Sequence, residues 1–218
     1  MPSANANPAA LVNFIFRQLP DDVLDAMGAQ RGGAYHKEAE ASGVPHESMI
    51  AAVGGDAVAA GQDTVAIGLV QNDGKDHGGY SIIVGDATFE ASAQAPEAGG
   101  ADAAANTVMA VSGADYIIKD ESSHGGSGPN DAWASSELDF VAVNINGWSP
   151  EGGPVVIELH QPGHQVQPDG HQPPHGNYAA VIATAEAQAA DSLSATQTNA
   201  LTVENQFSFV NAIAVVIV

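Results

Sequence analysis

The chain has 218 residues, 44% hydrophobic and only 14% charged, with 26 Asp and Glu against five Lys and Arg, a formal net charge of −21. That length and apolar content suit one large β domain, while the acidic balance excludes nucleic acid and anionic lipid as partners and attracts divalent cations. Cysteine is absent, which excludes a disulfide framework, iron–sulfur ligation and thiolate zinc.

The first residues, MPSANANPAALVNFIF, lack a basic leader and an uninterrupted apolar run before Arg17, so a cleaved secretory signal is not expected. No run of about 18 apolar residues exists, so no transmembrane helix is expected either. Residues 1–28 hold the one convincing helical segment. Asn7 is suited to cap it and Pro8 to its first turn, and Leu11, Phe14 and Ile15 share an apolar face. Pro20 breaks the run before a second short turn that ends at Gly28. Such a segment packs as a flap on a sheet or docks another subunit. Residues 29–62 show no clear element beyond a short strand or helix over Met49–Val53.

From Asp63 onward the period becomes two. Val65, Ile67 and Leu69 alternate, QNDGKDHGG turns the chain, and Tyr80–Val84 returns, a hairpin with a long hydrated tip. Residues 87–95 continue the alternation, residues 95–106 read as a loop, and strands follow at Thr107–Val111 and Asp115–Lys119. SSHGGSGPND, residues 122–131, reads as a flexible connector between that strand and Leu138–Ile145. Val155–Leu159 is another strand, and the Pro- and Gly-rich run after it is irregular. Tyr178–Thr184 alternates again, whereas AEAQAADSL beyond it is open to helix on alanine propensity.

The carboxyl end carries the strongest signal. From Phe207 there is neither charge nor proline; Phe207, Phe209, Ile213, Val215 and Ile217 share one parity, and Val210, Ala212, Val216 and Val218 the other. Two apolar faces describe a strand buried from above and below, by its own sheet or by another copy. The expected fold is mainly β: a single antiparallel sandwich or jelly-roll-like domain over residues 29–218, after the short helical segment.

Three groups of residues invite a functional reading. His160, His164, His171 and His175 form two H-x3-H pairs in a loop whose prolines forbid a helix, so a zinc or copper site there is built by loop folding. Asp73 and Asp76, with Asn72, offer hard oxygens for calcium, without the order of an EF-hand loop. Trp133 and Trp148 with Tyr80 and Tyr116 are candidates for a sugar-stacking platform. No nucleophile elbow or phosphate-binding loop is present, so catalysis is not expected.

Strong acidity, scarce Lys and Arg, a Gly/Asp/Asn-rich body and an apolar end together resemble bacterial substrates of one-step, type I export, although the glycine-rich calcium nonapeptide common among them is missing. That resemblance implies an extracellular or cell-surface location, with a cytoplasmic one as the competing reading. The expected function is a secreted structural protein that self-assembles into a homo-oligomer, filament or surface layer through the strand Phe207–Val218, with cations screening the repulsion. The alternative is a secreted module that binds metal, haem or glycan through the loop 160–175.

Overall fold

Small apolar residues alternating with polar ones put the described chain almost wholly into strands. The computed structural model describes residues 48–98, 100–145, 153–159 and 176–218; the helical segment expected over residues 1–28 lies outside them. Ten strands follow in order: β1 (Ile50–Ala60), β2 (Asp63–Asp76), β3 (Tyr80–Gln94), β4 (Asp102–Ser112), β5 (Tyr116–Ser127), β6 (Asp131–Ile145), β7 (Val155–Glu158), β8 (Asn177–Gln188), β9 (Leu193–Val203) and β10 (Phe207–Ile217). They build a mainly β, sandwich-like fold of two sheets, a four-stranded one in the order β4-β1-β10-β9 and a six-stranded one in the order β7-β5-β6-β3-β2-β8. The antiparallel expectation holds for most ladders, but β2 with β8 and β5 with β7 run parallel.

β10 lies over β2 and β8, β1 over β2 and β3, and β4 over β3 and β6. Between the sheets the core is largely alanine and valine, with Ala57, Ala66, Ala87, Ala212 and Ala214 all at 0–1% exposure. Short side chains let the sheets approach closely, so a large ring fits only where the facing residue has no side chain. Phe89 and Phe140 are the two largest fully buried side chains. A Cβ added at Gly68, beside Phe89 in the ladder, would lie 2.6 Å from its ring, and one at Gly55 in the opposite sheet 2.7 Å. Phe140 lies likewise against Gly85, its partner across β3 and β6.

Polar rivets fix the register of the two sheets. Fully buried Asn72 on β2 donates its Nδ2 to the carbonyls of Ala51 and Ala214, at 3.0 Å each, on the two central strands of the opposite sheet. Its Oδ1 has no partner among the described residues. Thr64 and Ser208 share a 2.7 Å hydroxyl contact between β2 and β10, and Thr107 and Ser136 one of 2.8 Å between β4 and β6. A one-residue slip of β2 would swing Asn72 and Thr64 out of the core together.

Several expected loops are strand. β2 runs on to Asp76 because Asn72 and Gly74 both point inward, Asn72 to its carbonyls and Gly74 against the Val216 and Val218 side chains, so the tip shrinks to residues 77–79 around Gly78 (φ 80°). β5 continues through Ser127, where Gly126 lies under the Trp133 indole. β4 begins at Asp102, and β8 stays extended to Gln188, its inward alanines packing on the core. Alanine's helix propensity loses here to tertiary burial. A second apolar cluster of Tyr116, Ile118, Val141, Val143 and Ile145 sits on the other face of the six-stranded sheet.

Truncating Phe89→Ala is expected to cost about 3–5 kcal/mol, and Gly55→Val about 1–3 kcal/mol or more from overpacking against the Asn106 backbone carbonyl and the same ring. Ile182→Thr on exposed β8 should stay within about 0.5 kcal/mol. Urea midpoints at unchanged m-value check all three.

Candidate functional site

The apolar tail takes a central place. β10 pairs along its whole length with β1 on one side and β9 on the other, and Val218 exchanges two backbone hydrogen bonds with Met49, at 2.9 and 3.0 Å. Its main-chain groups are therefore already paired, which corrects the expectation that this segment adds itself as a strand to a neighbour. The two parities also part company. Val210 and Val216 face the core at 0% exposure with Val218 beside them, whereas Phe207, Phe209, Ile213, Val215 and Ile217 face outward, half-buried or exposed. Burial on both sides, as the sequence suggests, is replaced by one buried face and one outer face.

Strand β10 nevertheless sets which strands lie at the margins of its sheet. All four strands of its sheet are 11 residues long and flush in register. The outermost, β4 and β9, have no described strand beyond them. β9, LSATQTNALTV, is exposed at every residue except half-buried Val203 and carries no charge; β4 carries only Asp102. Neither has the lysine, proline or bulge that normally blunts an edge. Because four alternating strands make an even number, a copy shifted sideways presents its β4 antiparallel to the first copy's β9. The sheet then continues without a break in its pattern.

The outer face of the six-stranded sheet carries the charge. Asp120, Asp139 and Asp86 stand side by side across β5, β6 and β3, with Asp73 and Glu186 facing each other one row along and Glu137 on the other side. Adjacent strands lie only about 4.8 Å apart, so these carboxylates repel. Burial, then the Asp73 and Glu137 charges, push the Asp86 carboxyl up to about 6. Burial, then Glu137, Asp86 and Asp120, push Asp139 up to about 6 as well. Burial and then Glu186 also raise Asp73. Lys75 follows Asp73 along the same face of β2. Lys119 pairs elsewhere, with Glu158 at 3.1 Å and Glu121 at 3.7 Å.

The other expected sites fare differently. Asp73 faces outward, Asn72 points into the core, and Asp76 accepts a hydrogen bond from the Gly78 N–H at 2.7 Å. The calcium candidates are thus divided rather than gathered in a turn. Among the described residues no three His, Asp or Glu side chains are placed to hold a metal ion. His160, His164, His171 and His175 lie outside the described residues, as does Trp148. Trp133 stands near one end of the six-stranded sheet and Tyr80 and Tyr116 at the other, so these aromatics form no common platform. Among the described residues no helix is long and apolar enough to cross a membrane. Sequence reasoning missed the aspartate row, because adjacency across three strands appears only once the registers are known.

No protein-family model matches the chain, and no curated protein is similar to it.

The raised carboxyls predict an unusual stability profile. Asp86 and Asp139 hold a proton up to about pH 6 when folded, against about 3.9 in an unfolded chain. Between those values the folded state binds more protons, so this contribution is fully present below the unfolded value and is lost as pH rises through 6. Melting temperature should therefore be higher near pH 5 than at about pH 7.5, and Asp86→Asn should raise it at the higher pH while flattening the slope. Calorimetry across that range checks both.

Proposed function

We propose that the protein is a structural subunit that polymerises by strand addition between the β9 edge of one copy and the β4 edge of the next. The observation that carries this reading is the pair of long, flush, almost uncharged edges on one four-stranded sheet. Head-to-tail pairing of two different edges is heterologous, so each added copy leaves a new edge exposed and an open filament grows unless the rotation between copies closes a ring. Backbone hydrogen bonds supply the affinity, and β10, locked between β1 and β9, keeps the edges straight. With a formal charge of −21 per copy, association is favoured by salt, divalent cations or mild acid, which screen or neutralise the carboxylates. The acidic, cysteine-free composition with few Lys and Arg supports an extracellular or cell-surface setting for such a polymer.

Light scattering and electron microscopy of micromolar protein are expected to show filaments that lengthen with millimolar calcium and at about pH 5 relative to about pH 7.5. The double variant Thr196→Lys/Thr198→Lys places two charges on exposed positions of β9 and should abolish filaments with little change in melting temperature. Filaments undiminished in that variant, or a wild type without filaments in every condition, would remove strand addition as the function.

A further inference from the structure

The outer face of the four-stranded sheet has a pattern that edge pairing does not explain. In register across the sheet, Asn199, Asn211, Asp56 and Asn106 form one transverse row, one residue from each of β9, β10, β1 and β4. The rows on both sides are mostly apolar, and several members stand open: Leu201 is 52% exposed, Val108 52%, and Ile213 37%. Among the described residues only Asp56 and Asp102 bring charge to this face. For a molecule so negative, this is the surface on which another copy is least repelled.

We propose that this face packs against the same face of a second copy. Four strands of 11 residues present roughly 19 Å by 36 Å, so the pair would bury on the order of 1,400 Å² in total, within the range of stable specific interfaces. The symmetry follows from the side chains. A two-fold axis lying in the interface, parallel to the strands and midway between β1 and β10, lays β10 of each copy over β1 of the other, and β9 over β4. In the polar row Asp56 then meets Asn211 and Asn106 meets Asn199, so each carboxylate finds an amide donor and no carboxylate faces another. In the next rows Ile213 meets Gly54, Val215 meets Ala52 and Leu201 meets Ala104, large against small, while Phe209 meets Val58 and Ile217 meets Ile50, apolar on apolar. An axis along the polar row would instead stack Asp56 on Asp56, which like-charge repulsion opposes. Aligned sheets cross at about 30°, so the match is closest at the centre, where the polar row lies. Asn211 keeps its own link to the Gly55 carbonyl at 3.0 Å, and its second N–H is left to serve the partner. This contact is separate from strand addition; together the two would laminate filaments in pairs.

The absence of cysteine makes the geometry testable in the full-length chain. In the filament-blocked Thr196→Lys/Thr198→Lys background, Asn106→Cys and Asn199→Cys are combined and the thiols are joined by a bifunctional thiol reagent about 5 Å long, because facing sheets lie about 10 Å apart and a direct disulfide reaches only about 7 Å between Cα atoms. Within one copy the two positions are about 14 Å apart across β1 and β10, beyond the roughly 11 Å that such a bridge spans between Cα atoms. Face-to-face packing predicts a single covalent dimer with two bridges and nothing larger. Sedimentation of the same background without cysteines should give a dimer that Ile213→Lys shifts at least tenfold toward monomer, with melting temperature held. A strictly monomeric, uncross-linked protein overturns the proposal, whether the face stays open or is covered by another part of its own chain. A covalent ladder beyond the dimer also overturns it, because Asn199 beside Asn106 in a chain of copies is the signature of edge pairing. A dimer found where wild type forms no filaments upholds the face contact while strand addition fails.

Discussion

The close approach of two sheets lined with alanine and glycine governs the rest of this structure. Phe89 occupies the gap only because Gly68 beside it and Gly55 opposite leave room for a ring, and Phe140 depends in the same way on Gly85. With so little side-chain volume between the layers, the facing strands cannot slide without forcing a ring onto a Cβ or stranding Asn72 away from its two carbonyls. Register between the sheets is therefore set by a few oversized and polar residues in a field of small ones. Hydrophobic mass alone would not set it.

From that constraint comes the division of labour between the outer surfaces. Holding β10 between β1 and β9 produces a four-stranded sheet of flush strands, with no described strand beyond β4 or β9 and an apolar outer face crossed by one row of amides and a carboxylate. Carboxylates gather instead on the far side of the sandwich, where Asp86, Asp139 and Asp120 stand in line despite their repulsion. Burial first, and then the like charges on adjacent strands, raise the Asp86 and Asp139 carboxyls, so ionising this row costs stability. Under the proposed reading, the first surface is the one that meets another copy and the second the one whose repulsion protons or cations relieve.

The alternation of Val65, Ile67 and Leu69, of Tyr80–Val84 and of Leu138–Ile145 was enough to read strands there, since period two with turn residues between has one common structural solution. The same reasoning failed at residues 71–76 and 122–127. Gly and Asn are turn formers by local propensity, yet here they are strand residues: Asn72 and Gly74 are demanded by the opposite sheet, and Gly126 by the Trp133 ring on the next strand. The candidate surfaces were less legible. The apolar tail was visible, but whether it formed an edge or a centre, and which aspartates became neighbours, depended on pairing partners more than a hundred residues away in several cases.

By itself the sequence determined the class of fold, the acidity, the lack of thiols and the presence of an apolar strand at the carboxyl end, because composition and period act locally. Only the tertiary structure decided that this strand lies between β1 and β9 and that β4 and β9 are the outermost described strands of its sheet. It also decided that Asp56 joins Asn106, Asn199 and Asn211 in a single row. Those outcomes follow from strand order and register, set by the fit of rings over glycines and of Asn72 to its carbonyls across two sheets, which no local window of residues contains.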